Sequence, residues 1–139
     1  MIPTPKIKAL SHITLICKDL EKTTHLLKHI FDAEEVYASG DNTFSLAKEK
    51  FFNIAGVWIA IMEGEPIEKT YNHIAFQVND DDLPTFIEKV RSLKLTILPG
   101  RKREKAEGNS LYFYDDDNHL FELHTGDLNT RLQYYNQGK

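Results

Sequence analysis

The sequence predicts an α+β fold built from two copies of one strand–helix–strand–strand–strand module. Three observations carry that prediction. Two segments repeat each other 61 residues apart: "HITLICKDLEKTTHLLKHIF" from His12 and "HIAFQVNDDDLPTFIEKVRSL" from His73. Each opens with His-Ile, runs through a short strand, meets an acidic cluster and enters an amphipathic helix. After each helix come three strand-like runs. Two copies point to paired modules rather than a solenoid, which needs more repeats.

The first module spans about residues 8–64. Its opening strand is "HITLIC". Asp19 is placed to cap the following helix, whose inward face carries Leu20, Leu27, Ile30 and Phe31. The strands expected next are "EEVYAS", "NTFSL" and "GVWIAIM", with Gly40-Asp41-Asn42 as a hairpin turn. The connection around Pro66 is too short for a flexible linker. The second module spans about 70–126 and opens with "NHIAFQV". Asp81 or Asp82 is the expected cap of its helix, with Pro84 in the first turn. Leu83, Phe86, Ile87, Val90 and Leu93 mark one apolar face. "LTIL", "SLYFY" and "HLFELH" supply its remaining strands, and residues 127–139 form a C-terminal tail.

At 139 residues the chain is one compact unit, or two small halves sharing a core. A composition 41% hydrophobic and 27% charged is that of a soluble globular protein. A net charge of −4 with a pI near 5.8 argues against a nucleic-acid partner, which requires a basic footprint. No apolar run approaches the roughly 20 residues of a membrane span. The start, "MIPTPKIKAL", lacks the apolar region and cleavage site of a secretion signal. Cys17, the single cysteine, cannot form an internal disulfide, so a reducing cytoplasm is the expected setting. It lies on the apolar side of its strand and is expected in the core.

Period-two alternation assigns the strand faces. His12, Thr14 and Ile16 share one face, as do His73, Ala75 and Gln77. Ser110, Tyr112 and Tyr114 oppose Leu111 and Phe113, while Glu122 and His124 oppose Phe121 and Leu123. Each strand therefore has an apolar face for a helix to cover and a face rich in functional groups. His12, His73 and Glu122 stand on strands of both modules. Two imidazoles and one carboxylate suit a divalent metal that keeps coordination positions open. A duplicated site would repeat the carboxylate near Ile61, which cannot ligate.

Two patterns are set aside. His25 and His29 lie one helical turn apart, yet the glutamate of the helical zinc-protease motif is missing between them. "DDDNHLFELHTG" opens like a calcium loop at Asp115, but has Leu120 where glycine is needed and Gly126 where the bidentate glutamate belongs. It is expected to be a turn.

"SHITL", "YNHIAF", "SLYFYDDDNHLFELHTG" and "FSLAKEKFF" together resemble the vicinal oxygen chelate (glyoxalase and bleomycin resistance) superfamily. Within it they are similar to the FosX-type fosfomycin resistance proteins, from about Leu10 to Leu132. The resemblance implies cup-shaped mixed sheets from paired βαβββ modules, a homodimer, and manganese as the usual divalent metal. It implies that His12 of one chain meets His73 and Glu122 of the other around that metal. It also implies that fosfomycin, an epoxide phosphonate, is opened by water with Glu49 as general base. By the same resemblance, Thr14 matches a position near the ring oxygen and phosphonate, and Ser110, Tyr112 and Arg131 match phosphonate contacts. Lys102, Arg103 and Lys105 in the basic loop "RKREKAEGNS" are further candidates.

The chemistry agrees with the residue types. A metal can stabilise the alkoxide that develops as a strained ring opens, and a carboxylate can take a proton from the attacking water. Arginine and serine suit an oxyanion. On residues alone Glu49 reads more readily as a loop carboxylate in a charge-mixed turn between Lys48 and Lys50; the resemblance reverses that preference. Phe51 and Phe52 would raise its pKa by desolvation and the lysines would lower it. The alternatives are a thiol transferase using glutathione, cysteine or bacillithiol, or a protein that sequesters the antibiotic without chemistry. The thiol-using relatives lack a carboxylate at this position. Ala106, standing where the glutathione-dependent type has a loop serine, speaks against a potassium site.

Overall fold

Asp19 starts the first helix as its place before an apolar-periodic run predicts. Its carboxylate accepts from the Lys22 backbone N–H at 3.1 Å, satisfying one of the donors left open at a helix start. The computed structural model describes residues 4–42, 45–100 and 104–137. The chain divides into two units, Met1–Glu65 and Pro66–Lys139.

In the first unit β1 (His12–Cys17), α1 (Leu20–Phe31), β2 (Glu34–Ala38), β3 (Glu49–Ile54) and β4 (Val57–Glu63) follow one another. The sheet order is β1-β4-β3-β2, with β1 parallel to β4 and the other pairs antiparallel. A parallel neighbour requires a crossover, and α1 is part of it. Leu26, Leu27 and Ile30 of α1 are buried, as are Leu15, Cys17, Phe52, Ile54, Ile59 and Ile61 of the sheet. Cys17 is fully buried, as its parity predicts.

One strand lies elsewhere than expected. The third strand is Glu49–Ile54 rather than "NTFSL"; Ser45–Ala47 form a bend, and Thr43 and Phe44 lie outside the described residues. The Gly40-Asp41-Asn42 turn bends the chain, with Asn42 N–H donating to Ser39 O at 3.0 Å, but it only begins a longer connection. The tight hairpin is at Ala55-Gly56, between paired Ile54 and Val57, and both residues have positive φ (49° and 85°). Two such residues make the turn whose twist matches the strands.

The second unit repeats the plan with β5 (His73–Gln77), α2 (Leu83–Ser92), β6 (Thr96–Leu98), β7 (Ser110–Tyr114) and β8 (Leu120–His124). Its sheet order is β5-β8-β7-β6, again with one parallel pair, β5 with β8. Val90 on α2 is fully buried, together with Phe113, Phe121 and Leu123 of the sheet. The expected cap of α2 is not made. A 3-10 turn over Asp80–Asp82 leads into the helix, and Asp82 forms no side-chain cap bond. With the chain already helical at Asp82, its side chain is not in the extended geometry that caps. The tail holds a further helix, α3 (Leu128–Asn136), capped by Asp127, which accepts from the Thr130 N–H at 2.8 Å. Among the described residues no helix is long and apolar enough to cross a membrane.

Candidate active site

The register of each sheet sets out its functional face. In the second unit Ala75, Glu122 and Tyr112 form one cross-strand row, and Gln77, His124 and Ser110 form the next. Residues directly opposite in a ladder share a face and touch. In the first unit Thr14, Ala60 and Phe51 form the corresponding row, followed by Ile16, Met62 and Glu49. The counterpart of Glu122 is therefore Ala60, one residue from the expected Ile61. Neither can ligate. The counterpart of Ser110 is Glu49, an acid in one module where the other has a hydroxyl.

His73 and Glu122 come together. His73 Nδ1 lies 2.7 Å from the Tyr71 carbonyl oxygen, which can only accept, so the proton sits on Nδ1. That leaves Nε2 facing Glu122 Oε1 at 3.1 Å. Two donors bound at about 2.1 Å in adjacent octahedral positions lie about 3.0 Å apart. The pair thus has the spacing of neighbouring ligands on one divalent ion. A histidine whose other nitrogen donates to a carbonyl is fixed in ring orientation and tautomer for metal binding. Tyr112 stands edge-on to His73, with ring centroids 5.5 Å apart.

Glu122 is buried, at 5% exposure. Burial alone would raise its pKa. Hydrogen bonds from Ser110 and Tyr112 oppose that, as do the imidazoles of His124 and His73 when protonated, and the carboxyl ends below its ordinary value of 4.5. It is an anion at neutral pH, as a metal ligand must be. Ser110 Oγ is 2.6 Å from Oε2, so the oxygen away from His73 is held by protein donors. Ser110 and Tyr112 both carry a hydroxyl engaged on Glu122 here, in addition to lining one face of the site. Arg131, half-buried on α3, donates from Nη2 to the Glu107 carbonyl and faces His124 Nε2, each at 3.1 Å. A cavity of about 430 Å³ is lined by His73, Tyr112, Glu122, His124 and Arg131 among others.

In the first unit His12 is exposed on β1, its Nδ1 2.9 Å from Ser11 Oγ and its ring 4.2 Å from that of Trp58. Thr14 is exposed two residues on, on the same face. Glu49 is 8% exposed. Its backbone is pinned to Ser39, with the N–H donating to Ser39 Oγ at 3.1 Å and the carbonyl accepting from the Ser39 N–H at 3.0 Å. Its carboxylate has no hydrogen-bond or ion-pair partner among the described residues, and it lines a cavity of about 370 Å³ with Tyr37, Ser45 and Phe51. The flanking lysines look elsewhere: Lys48 lies 3.9 Å from Asp41, and Lys50 lies 2.9 Å from Glu21 and 3.4 Å from Glu35. The sequence could not decide between a charge-neutralised loop residue and an aimed one. Strand pleat separates the charges, because Lys48 and Lys50 fall on the face opposite Glu49.

Lys102 and Arg103 lie outside the described residues. The clamp that seats Arg131 was not anticipated. Glu107, buried in a 3-10 turn (Lys105–Glu107), accepts from Tyr135 Oη at 2.6 Å and offers its carbonyl to Arg131. The sequence signal is the spacing of Glu104 and Glu107, a reciprocal capping box. Two glycines make the crossing possible: a Cβ at Gly108 would lie 2.6 Å from Gly126 N, and one at Gly126 would lie 2.8 Å from His124 Nε2.

Asp115, Asp117 and His119 also gather, all buried, in the turn between β7 and β8. Asp115 Oδ1 accepts from the Asp117 and His119 N–H groups at 2.9 and 2.8 Å, and Oδ2 is 2.8 Å from His119 Nδ1. These bonds serve the turn itself. His25 and His29 stack on α1 with ring centroids 5.7 Å apart.

Residues 9–123 match the model of the Glyoxalase/Bleomycin resistance protein/Dioxygenase superfamily. The chain belongs to that superfamily, in its FosX branch. It is 62% identical over 132 residues to the fosfomycin resistance protein FosX of Listeria innocua serovar 6a, covering 94% of this chain and 99% of that one. Among solved structures, a variant of FosX from Listeria monocytogenes, complexed with Mn(II) and 1S,2S-dihydroxypropylphosphonic acid, matches with a TM-score of 0.86 at 55% identity. That match covers 93% of this chain and 98% of the other. The metallothiol transferase FosB of Bacillus licheniformis is more distant, 34% identical over 139 residues, with 96% and 86% covered. The two four-stranded mixed sheets are those of this superfamily.

Proposed function

We propose that this protein is a metal-dependent hydrolase that opens the epoxide ring of fosfomycin with water to give the diol, and so confers resistance to the antibiotic. The observation that carries the assignment is Glu49, a buried carboxylate without a partner among the described residues, facing a cavity. A general base must have a lone pair directed at its substrate water rather than at a neighbouring cation. Support comes from the FosX relatives, one of them bound to a dihydroxypropylphosphonic acid, the product that water would give.

His73 and Glu122 of one protomer, with His12 of its partner in a homodimer, would hold a divalent cation, Mn(II) by analogy with the relative. Once bound, that ion supplies Lewis-acid stabilisation of the oxygen leaving carbon. The chain's own residues do the rest. Glu49 takes one proton from water as its oxygen bonds to an epoxide carbon. The ring C–O bond breaks, its electron pair staying on oxygen, and that oxygen is then protonated to complete the diol. General-base assistance of this kind is worth about 10²–10⁴-fold. Arg131, with Lys102 and Arg103, would receive the phosphonate by charge-assisted hydrogen bonds, while Ser110 and Tyr112, whose hydroxyl protons are engaged on Glu122, would flank it. Thr14 stands ready to contact the ring oxygen. The cytoplasm is the proposed site of action.

The second reading is thiol transfer, favoured by the FosB likeness. Phosphorus NMR separates the two. Protein, Mn(II) and fosfomycin without thiol should yield the diol; a product that forms only on adding thiol would replace hydrolysis by transfer.

A further inference from the structure

The geometry points to His124 as a positioning residue that fixes Arg131 and Glu122 relative to each other through one directed chain of hydrogen bonds. Its two ring nitrogens have different neighbours. Nε2 lies 3.1 Å from Arg131 Nη2. Nδ1 lies 2.7 Å from Ser110 Oγ and 3.2 Å from Glu122 Oε2. A guanidinium has donors only. A bond between Arg131 and His124 therefore requires the lone pair to be on Nε2, which puts the imidazole proton on Nδ1. From there the proton on Nδ1 meets the nearer of its two acceptors, Ser110 Oγ rather than Glu122 Oε2. Nδ1–H donates to Ser110 Oγ, and the Ser110 hydroxyl, 2.6 Å from Oε2, donates to Glu122. An arginine on α3 is thus linked, through His124 and Ser110, to a carboxylate on β8.

Both ends of the chain are anchored. Arg131 Nη2 also donates to the Glu107 carbonyl at 3.1 Å, and Glu107 is tied to α3 by Tyr135. At the other end Oε2 accepts from Ser110, and Oε1 lies on the His73 side, 3.1 Å from Nε2. With Oε2 engaged by Ser110, Oε1 is the oxygen that Glu122 would offer to a cation shared with His73. The cross-strand rows explain how the sequence builds this: Ser110 and His124 are directly paired in the β7–β8 ladder, and Glu122 is two residues along the same face.

The inference rests on the proposed reading that Glu122 ligates the metal and Arg131 meets the phosphonate. Its test uses two substitutions that each retain one half of the imidazole. In His124→Asn the amide N–H takes the place of Nδ1–H toward Ser110 but cannot reach Arg131. In His124→Gln the amide oxygen takes the place of Nε2 as acceptor for Arg131 but leaves Ser110 unsupported. Asn should keep Mn(II) affinity within about twofold and raise KM for fosfomycin about tenfold, the loss of one charge-assisted contact. Gln should do the reverse, weakening Mn(II) binding by about tenfold, as loss of an outer-shell partner does. His124→Phe should lose both.

A merely structural histidine would not produce that split. Equal effects of Asn and Gln on both quantities, or no effect of either, would overturn the proposal. Independently, a long-range ¹H–¹⁵N spectrum of the metal-free wild-type protein should show the His124 proton on Nδ1, and a proton on Nε2 would overturn it. The spectrum and the Mn(II) titration need no fosfomycin, so their failure is separable from failure of the hydrolase reading, which the thiol-free reaction tests.

Discussion

Glu49 and Lys50 are sequence neighbours whose charges point to opposite faces of β3. Lys50 reaches Glu21 at 2.9 Å and Glu35 at 3.4 Å, while the Glu49 carboxylate faces a cavity with Tyr37, Ser45 and Phe51. The hydrogen bond to Glu21 raises the Lys50 pKa against the effect of burial, and the carboxylate of Glu35 adds to it. The lysine is a structural cation. Lys50→Met should therefore cost about 1 kcal/mol of stability and leave hydrolysis near the wild-type rate. Denaturant unfolding and a steady-state assay measure the two.

Glu49→Gln removes the base while keeping the shape of the side chain. Turnover should fall by about 10²–10⁴-fold, with Mn(II) affinity near that of the wild type, since Glu49 lies on another strand from His73 and Glu122. Stopped product formation with intact metal binding is the expected pattern. Retained turnover would remove Glu49 from the reaction.

Metal should stabilise the fold as well as enable chemistry. A ligand at about 1,000 times its Kd adds about 4 kcal/mol to the native state. Melting with and without Mn(II) should show a rise in Tm that EDTA reverses, and His73→Ala should shrink it. Turnover should disappear with the chelator and return with Mn(II).

Acid should unfold the metal-free protein partly through Glu122. Its folded pKa is below the ordinary 4.5, so its contribution is present above that value and is lost as pH falls from about 4.5 through the folded pKa. Ser110→Ala removes one of the donors that lower it. The variant should be less stable at neutral pH and should lose less stability between neutral pH and pH 3 than the wild type does. Urea unfolding at several pH values measures both slopes.

Much of this was legible in the residues. The His-Ile repeat and the alternation in "HITLIC", "SLYFY" and "LFELH" identified both sheets and the faces carrying His12, Ser110 and Glu122. Two features were hidden for physical reasons. The turn chemistry of Gly40-Asp41-Asn42 points to a third strand at "NTFSL", whereas the true hairpin uses Ala55-Gly56, a pair without that signal. α3 buries no residue, so it lacks the apolar face by which helices are recognised. Its role lies in the polar contacts of Arg131 with Glu107 and His124 and of Tyr135 with Glu107, with Asp127 capping its start.

The glycine crossing beside the site should be intolerant of a single methyl group. A Cβ at Gly126 would lie 2.8 Å from His124 Nε2 and 2.9 Å from the Glu107 carbonyl oxygen. Gly126→Ala should therefore displace the groups that seat Arg131, raising KM for fosfomycin several-fold more than it lowers kcat. Steady-state kinetics across substrate concentration provides the comparison.

The source of the new oxygen tests the central claim most directly. In a single turnover with Mn(II) in ¹⁸O-labelled water and no thiol, the diol should carry one ¹⁸O, delivered by a water that Glu49 deprotonates. No diol without thiol, or an unlabelled first-turnover diol whose oxygen came from the carboxylate, would contradict it.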